Sequence, residues 1–260
     1  MESAPENTTA AFASATALGF RHLETDVHLT SDGVLIAFHD EQLDRVTDRT
    51  GTVRDLPWSE VSRARIAGTE PIPTLDELLE TFPDIWFNID AKSDDTVVSL
   101  ANTLRRHGAV DRVCVAAFSD DRLRRIRRLL GPTLCTAASP REVTTLIGVA
   151  RVARVARVDR RTPGRGPTSG QRLDAPTVPM APTVPTGPYQ CMQVPVRHGR
   201  VEIVTPAFIG AAHARGARVH VWTIDEPEEM HRLLDLGVDG VMTDRPSVLR
   251  SVLVERGEWT

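Results

Sequence analysis

The stretch "ETDVHLTSDGVLIAFHD", residues 24–40, places Glu24 and Asp26 one residue apart, continues through Asp32-Gly33, and ends an apolar run on His39-Asp40. Side chains alternate faces along an extended strand, so Glu24 and Asp26 share a face. Only about five residues separate this run from "VLIAFH", whereas a parallel crossover needs a dozen or more. Asp-Gly marks a tight turn, and the second run is expected to fold back antiparallel onto the first. Such a turn sets residue 24 opposite 39 and 26 opposite 37, bringing Glu24, Asp26 and His39 to one edge. Like carboxylates held side by side repel unless a cation lies between them, and oxygen donors in this pattern suit Mg²⁺ or Ca²⁺ better than zinc. The same residues also fit a solvated acidic strand with a turn and a chance histidine.

The chain of 260 residues is long enough to bury its own core, and one α/β domain over 1–260 is expected. Its formal charge is −4, with no block of like charge that would grip a nucleic acid or an anionic membrane. Neither a basic leader with an apolar run nor a membrane-length apolar stretch occurs, so a soluble, cytoplasmic protein is expected. Cys114, Cys135 and Cys191 are far apart in sequence and lack C-x-x-C spacing, and they read as small core hydrophobes. Lys92 is the only lysine among 31 basic residues, the others being arginine. That bias reflects coding composition, and it leaves open why arginine does not stand at 92.

Outward from the opening stretch, residues 5–18 read as a helix capped by Asn7 or Thr8 and stopped at Gly19. Seven short apolar runs follow: "HLETDV", "IWFNID", "VCVAAF", "LCTAA", "QCMQV", "RVHVWTI" and "DGVMTD". Helix-like segments lie near 94–107, 119–130, 205–215, 226–235 and 246–256. Strands alternating with helices argue for a parallel sheet covered on both faces, and seven of them for a (β/α) barrel one strand short. Between 157 and 188 the texture changes to turn-rich and proline-rich sequence with APTVP twice, which reads as an exposed, disordered excursion.

"PENTTAAF" at 5–12 followed by the opening stretch resembles the glycerophosphodiester phosphodiesterase family, whose signature runs H-R-G, P-E-N-T-x-x-A-F, E-x-D-V-x-x-T-x-D-G and a strand ending H-D. "LDRVTDRTG" at 43–51, "FNIDAK" at 87–92, "VWTID" at 221–225 and "GVDGVMTDRP" at 237–246 continue the likeness in order. The resemblance implies a TIM-type (β/α)8 barrel that hydrolyses glycerophosphodiesters to glycerol 3-phosphate and an alcohol, in lipid and glycerol metabolism. It implies one divalent cation, Mg²⁺ or Ca²⁺, and two acid/base histidines. By position, Glu24, Asp26 and Asp90 become metal ligands, His39 an acid/base histidine, Lys92 a phosphate-facing catalytic cation, and Trp222 a wall beside the substrate. Barrel chemistry of this kind sits at the C-terminal ends of the strands.

Three departures from the family pattern carry expectations of their own. The strand ending in His-Arg-Gly would precede Met1, so a barrel whose first strand is absent from this chain is expected, poorly soluble and nearly inert. A catalytically inactive truncated homologue and a non-catalytic barrel that binds phosphate or sugar phosphate are the alternatives. Asp90 stands where the family commonly has glutamate, and its side chain is shorter by about 1.5 Å. Asp225 stands where the family commonly has asparagine. His198, His213, His220 and His231 read as ordinary surface or core histidines, and Asp244 as a strand-end acid or a helix cap.

Overall fold

A computed structural model describes residues 4–159 and 187–259. Each of the seven apolar runs contains a parallel strand. With the hairpin strand counted, the strands of the barrel sheets are β1 (His22–Leu29), β2 (Leu35–Ala37), β3 (Trp86–Ala91), β4 (Val113–Ala116), β5 (Cys135–Thr136), β6 (Cys191–Pro195), β7 (Arg218–Trp222) and β8 (Gly240–Val241). One sheet runs β2-β1-β3-β4-β5 and another β8-β7-β6, and the Ala137–Cys191 bridge joins them. Within these two sheets all pairings are parallel except that of β1 with β2, as expected for an α/β barrel whose hairpin adds one short antiparallel strand. Two short antiparallel ribbons, Arg65–Ile66 with Glu70–Pro71 and Arg197–His198 with Val201–Glu202, lie outside them. Among the described residues no strand pairs with β8 on the side away from β7.

Nine helices are described. Helix α1 (Thr9–Ala17) precedes β1, and Thr8 caps it by accepting a hydrogen bond from the Ala11 amide at 3.1 Å. Then come α2 (Trp58–Val61), α3 (Leu75–Thr81), α4 (Thr96–Arg106), α5 (Asp120–Leu130), α6 (Pro140–Asp159), α7 (Pro206–His213), α8 (Pro227–Leu236) and α9 (Pro246–Glu255). The sequence reading missed α2, α3 and α6. Yet α3 carries a full capping box, in which Thr74 accepts from the Glu77 amide while Glu77 accepts from the Thr74 amide. Of the excursion expected at 157–188, residues 157–159 close α6, and 160–186 lie outside the described residues.

Aliphatic residues of β1, β3 and β4 pack outward against α1, α3, α4 and α5 in one core, where Phe12 meets Phe87 edge to face at 6.0 Å. A second core lies under α6 to α9. A third, built from Ile36, Phe38, Leu43, Val53, Val61 and Ile66, supports the long connection after β2. That third core matters for function because it fixes the chain immediately before His39.

The hairpin register departs from expectation by one residue: Val27 pairs with Ala37 and Leu29 with Leu35, so 26 falls opposite 38. The cause is the turn. Ser31, Asp32 and Gly33 form a three-residue loop closed by the Thr30 amide donating to the Val34 carbonyl at 3.0 Å. Gly33 takes the left-handed conformation at φ 88° that such a loop requires. His39 is therefore not a strand neighbour of Glu24; it follows β2 on the departing chain.

Phe87 is 1% exposed. Phe87→Ala should cost about 3–5 kcal/mol, against about 1 kcal/mol for Thr74→Ala at the α3 cap. Urea unfolding of both variants checks the order, and equal losses would contradict this account of the core.

Candidate active site

Parallel pairing of β1 with β3 sets Glu24 beside Asn88 and Asp26 beside Asp90. Register partners share a face, so three acids stand together near the C-terminal ends of two neighbouring strands. Lys92 follows β3 and anchors its own backbone to β1, the Lys92 amide donating to the Val27 carbonyl at 3.2 Å. Its ammonium lies 2.7 Å from Asp26 Oδ1 and 3.1 Å from Asp90 Oδ2. Burial pulls the Lys92 pKa down, but the two carboxylates more than offset this and leave it above the ordinary lysine value.

One ammonium does not balance three carboxylates. Asp90 Oδ1 is buried without a hydrogen-bond partner, and burial raises the Asp90 pKa despite the ammonium beside it. Glu24 projects into the barrel interior, reached by water yet walled in by protein. Burial, together with Asp26, Asp90 and Asp244, pushes its pKa up to about 8, and Lys92 only partly relieves this. As arranged, the acids surround the ammonium, and among the described residues no three acid, histidine or cysteine side chains are gathered as an ion site.

Asn7 is the positioning residue the sequence reading passed over. It takes a left-handed conformation at φ 57°, which asparagine tolerates better than most residues. Its Nδ2 donates to Asp26 Oδ2 at 3.4 Å, and its Oδ1 accepts from Thr25 Oγ1 at 2.6 Å. The signal was present as an asparagine directly before the true cap, Thr8.

His39 stands at the mouth with its side chain 52% exposed, and its Nδ1 lies 2.6 Å from Asp40 Oδ1. Arg45 clamps Asp40 from Nε at 2.5 Å and Nη2 at 3.0 Å and also bonds Glu6. Held by Arg45 first and His39 second, the Asp40 carboxyl drops to about pKa 2. An ionised Asp40 accepts a hydrogen bond from His39 Nδ1, which leaves Nε2 for proton transfer.

After β8, burial and the nearby Asp225 and Glu6 raise the Asp244 pKa, and His39 eases it. Asp225 itself serves the loop: it accepts from Thr243 Oγ1 at 2.8 Å and from the Asp244 amide at 3.0 Å. Trp222 ends β7 and meets Phe118 edge to face at 5.8 Å; Phe118, which sequence reasoning did not single out, is 69% exposed. Glu24, Asp26, Asp90 and Lys92 thus form one group, with His39 and Trp222 on separate parts of the rim. Of the other histidines, His213 pairs with Asp239 at 2.7 Å and His231 with Glu255 at 3.4 Å.

A profile of the family described as "Glycerophosphoryl diester phosphodiesterase family" matches residues 1–248. "Probable glycerophosphodiester phosphodiesterase 2" of Mycobacterium tuberculosis is 37% identical over 255 residues, which cover 98% of this chain and 88% of that protein. Among solved structures, a glycerophosphodiester phosphodiesterase from Agrobacterium tumefaciens superposes with a TM-score of 0.69 at 22% identity, covering 96% of this chain and 94% of the other. An Oleispira antarctica phosphodiesterase in complex with the product sn-glycerol-3-phosphate gives 0.70 at 21% identity, covering 96% and 92%. At those identities the structural likeness establishes the α/β barrel fold alone.

A carboxyl whose folded-state pKa is raised stabilises the fold while protonated, and that contribution is lost as pH rises through the folded value. Without divalent cation, stability should therefore decline between about pH 4.5 and about pH 8 on account of Glu24. Melting temperatures in chelator at both ends of that window should show a smaller decline for Glu24→Gln. Identical pH dependence in the two proteins would contradict the assignment.

Proposed function

Because the chain belongs to the glycerophosphoryl diester phosphodiesterase family, we propose that it hydrolyses glycerophosphodiesters to glycerol 3-phosphate and an alcohol, with Glu24, Asp26, Asp90, Lys92, His39 and Trp222 as its working residues. The observation that carries the residue assignment is the Lys92 ammonium lying between Asp26 and Asp90 beside a buried Asp90 oxygen that has no partner. A carboxylate group with surplus negative charge and an unsatisfied oxygen fits a hard, oxygen-preferring divalent ion. Family members generally depend on such an ion, and Mg²⁺ and Ca²⁺ both suit this donor set. Glu24, Asp26 and Asp90 would hold it. When bound, it supplies positive charge to the phosphoryl oxygens of the substrate.

The chain's own residues account for the remaining work. A phosphodiester carries one negative charge, and more develops on its oxygens in the transition state. Lys92, already poised at the carboxylates, presents a compact ammonium to that charge. Asp40 holds His39 at Nδ1, so Nε2 can take a proton from the attacking oxygen or return one to the leaving alcohol. Phe118 and Trp222 give the glycerol or alcohol moiety an apolar wall at the rim. Asn7 steadies Asp26 and is a positioning residue.

The test is release of glycerol 3-phosphate from glycerophosphocholine. Release should require Mg²⁺ or Ca²⁺ and stop in chelator. His39→Ala should lower kcat by about 10²–10⁴ with KM little changed. Turnover that persists in His39→Ala would overturn the role given to this histidine, and turnover unaffected by chelator would overturn the cation.

A further inference from the structure

The three cysteines, read from sequence as dispersed core residues, converge inside the barrel. Cys114 and Cys135 are register partners on β4 and β5, and Cys191 lies at the start of β6, the next strand. Cys114 is also the register partner of Asn88, itself the partner of Glu24, so the thiols share the inward face with the site acids. Cys114 Sγ and Cys191 Sγ are 3.6 Å apart. Gln193 reaches in from β6, its Nε2 3.5 Å from Cys191 Sγ and 2.6 Å from Asn88 Oδ1 on the facing strand.

We propose that Cys114 and Cys135 are an oxidisable pair, which a peroxide converts to a disulfide inside the folded barrel while Cys191 stays a thiol. Strand spacing decides the partners. Neighbouring strands lie about 4.8 Å apart, inside the Cα separation of about 4.4–6.8 Å that a disulfide spans. Inward-pointing Cβ atoms of a closing sheet converge further. Cys114 and Cys191 are anchored two strand spacings apart, roughly 9–10 Å along the sheet, which exceeds that span although their sulfurs touch.

Reactivity follows the thiolate, and the three thiols are not equivalent. Hydrogen bonds from Cys114 and Cys191 bring the Cys135 thiol down to about pKa 4, with His220 adding to the effect against burial. Contact with Cys135 and Cys191 together with burial pushes the Cys114 thiol up, while at Cys191 the contact with Cys114 lowers the value but Cys135 and burial raise it further. Cys114 and Cys135 are half-buried and within reach of a molecule the size of peroxide, whereas Cys191 is 3% exposed. The Cys135 thiolate attacks one peroxide oxygen, the O–O bond breaks, and with one proton the products are a sulfenic acid and water. The Cys114 thiol then attacks that sulfur and expels a second water. In sum, two thiols lose two electrons and two protons to one peroxide, which is reduced to two waters.

The experiment treats the native chain with hydrogen peroxide, quenches it, and counts thiols after denaturation. Free thiols should fall from three to one, the mass should drop by two hydrogens, and a tryptic map should join peptide 113–122 to peptide 129–141. Dithiothreitol should restore all three thiols. Cys135→Ser should slow thiol loss by at least about tenfold, and Cys191→Ser should still form the bond. Three surviving thiols, a link from 173–197 to either peptide, or a mixture of all pairings would each overturn the proposal. The map on the unaltered chain decides the matter even where a serine variant fails to fold.

Discussion

Electrostatic repulsion among Glu24, Asp26 and Asp90 is the constraint around which the rest of the site is arranged. Parallel pairing of β1 with β3 forces Asp26 and Asp90 side by side, and the two-residue period adds Glu24 on the same face. Carboxylates so placed either bind protons or gather positive charge. Both responses are visible: Glu24 holds its proton up to about pH 8, and the Lys92 ammonium settles between the other two. Here the bridging group is the compact point charge of an ammonium rather than the flat fork of a guanidinium, at the one lysine of a chain that elsewhere uses arginine. Arg112 spreads its donors over the carbonyls of Leu79, Phe82 and Ile85, and Arg127 forks onto Glu142, tasks that suit the planar group.

Positioning of the remaining groups depends also on parts of the fold beyond the acids. The third hydrophobic core anchors Phe38, Arg45 draws Asp40 and Glu6 together, and β1 holds the same chain through the Phe38 amide on the Asp26 carbonyl and His28 Nε2 on the His39 carbonyl, so loop and strand aim His39 together. After β7, Asp225 spends its carboxylate on the loop that carries Asp244. Asp225 in place of the commoner asparagine therefore acts first as a loop acceptor, and its charge reaches the site through Asp244.

Much of this was legible in the sequence because the deciding signals are local. Alternation in "ETDVH" put Glu24 and Asp26 on one face, the short spacing to "VLIAFH" required a hairpin, and each of the seven apolar runs contains a strand. The hairpin register was not legible, since Asp-Gly occurs in two-residue and three-residue loops alike, and one residue more shifts every pairing. Asn7 was hidden because a helix cap and a left-handed turn draw on the same residue types. The helix α6 was missed where its second half, RVARVARVD at 151–159, repeats arginine every third residue. The meeting of Cys114, Cys135 and Cys191 depends on neighbouring strands far apart in the chain, which spacing alone cannot reveal.

We propose that Glu24, Asp26 and Asp90, which surround the Lys92 ammonium, act together as one cation-binding group. Calorimetric titration of the chelator-stripped protein with Mg²⁺ and with Ca²⁺ tests it most directly. One ion per chain should bind, and Asp26→Ala should weaken that binding by at least about tenfold, as expected when one of three charged oxygen donors is removed. Unchanged affinity in Asp26→Ala would contradict the claim.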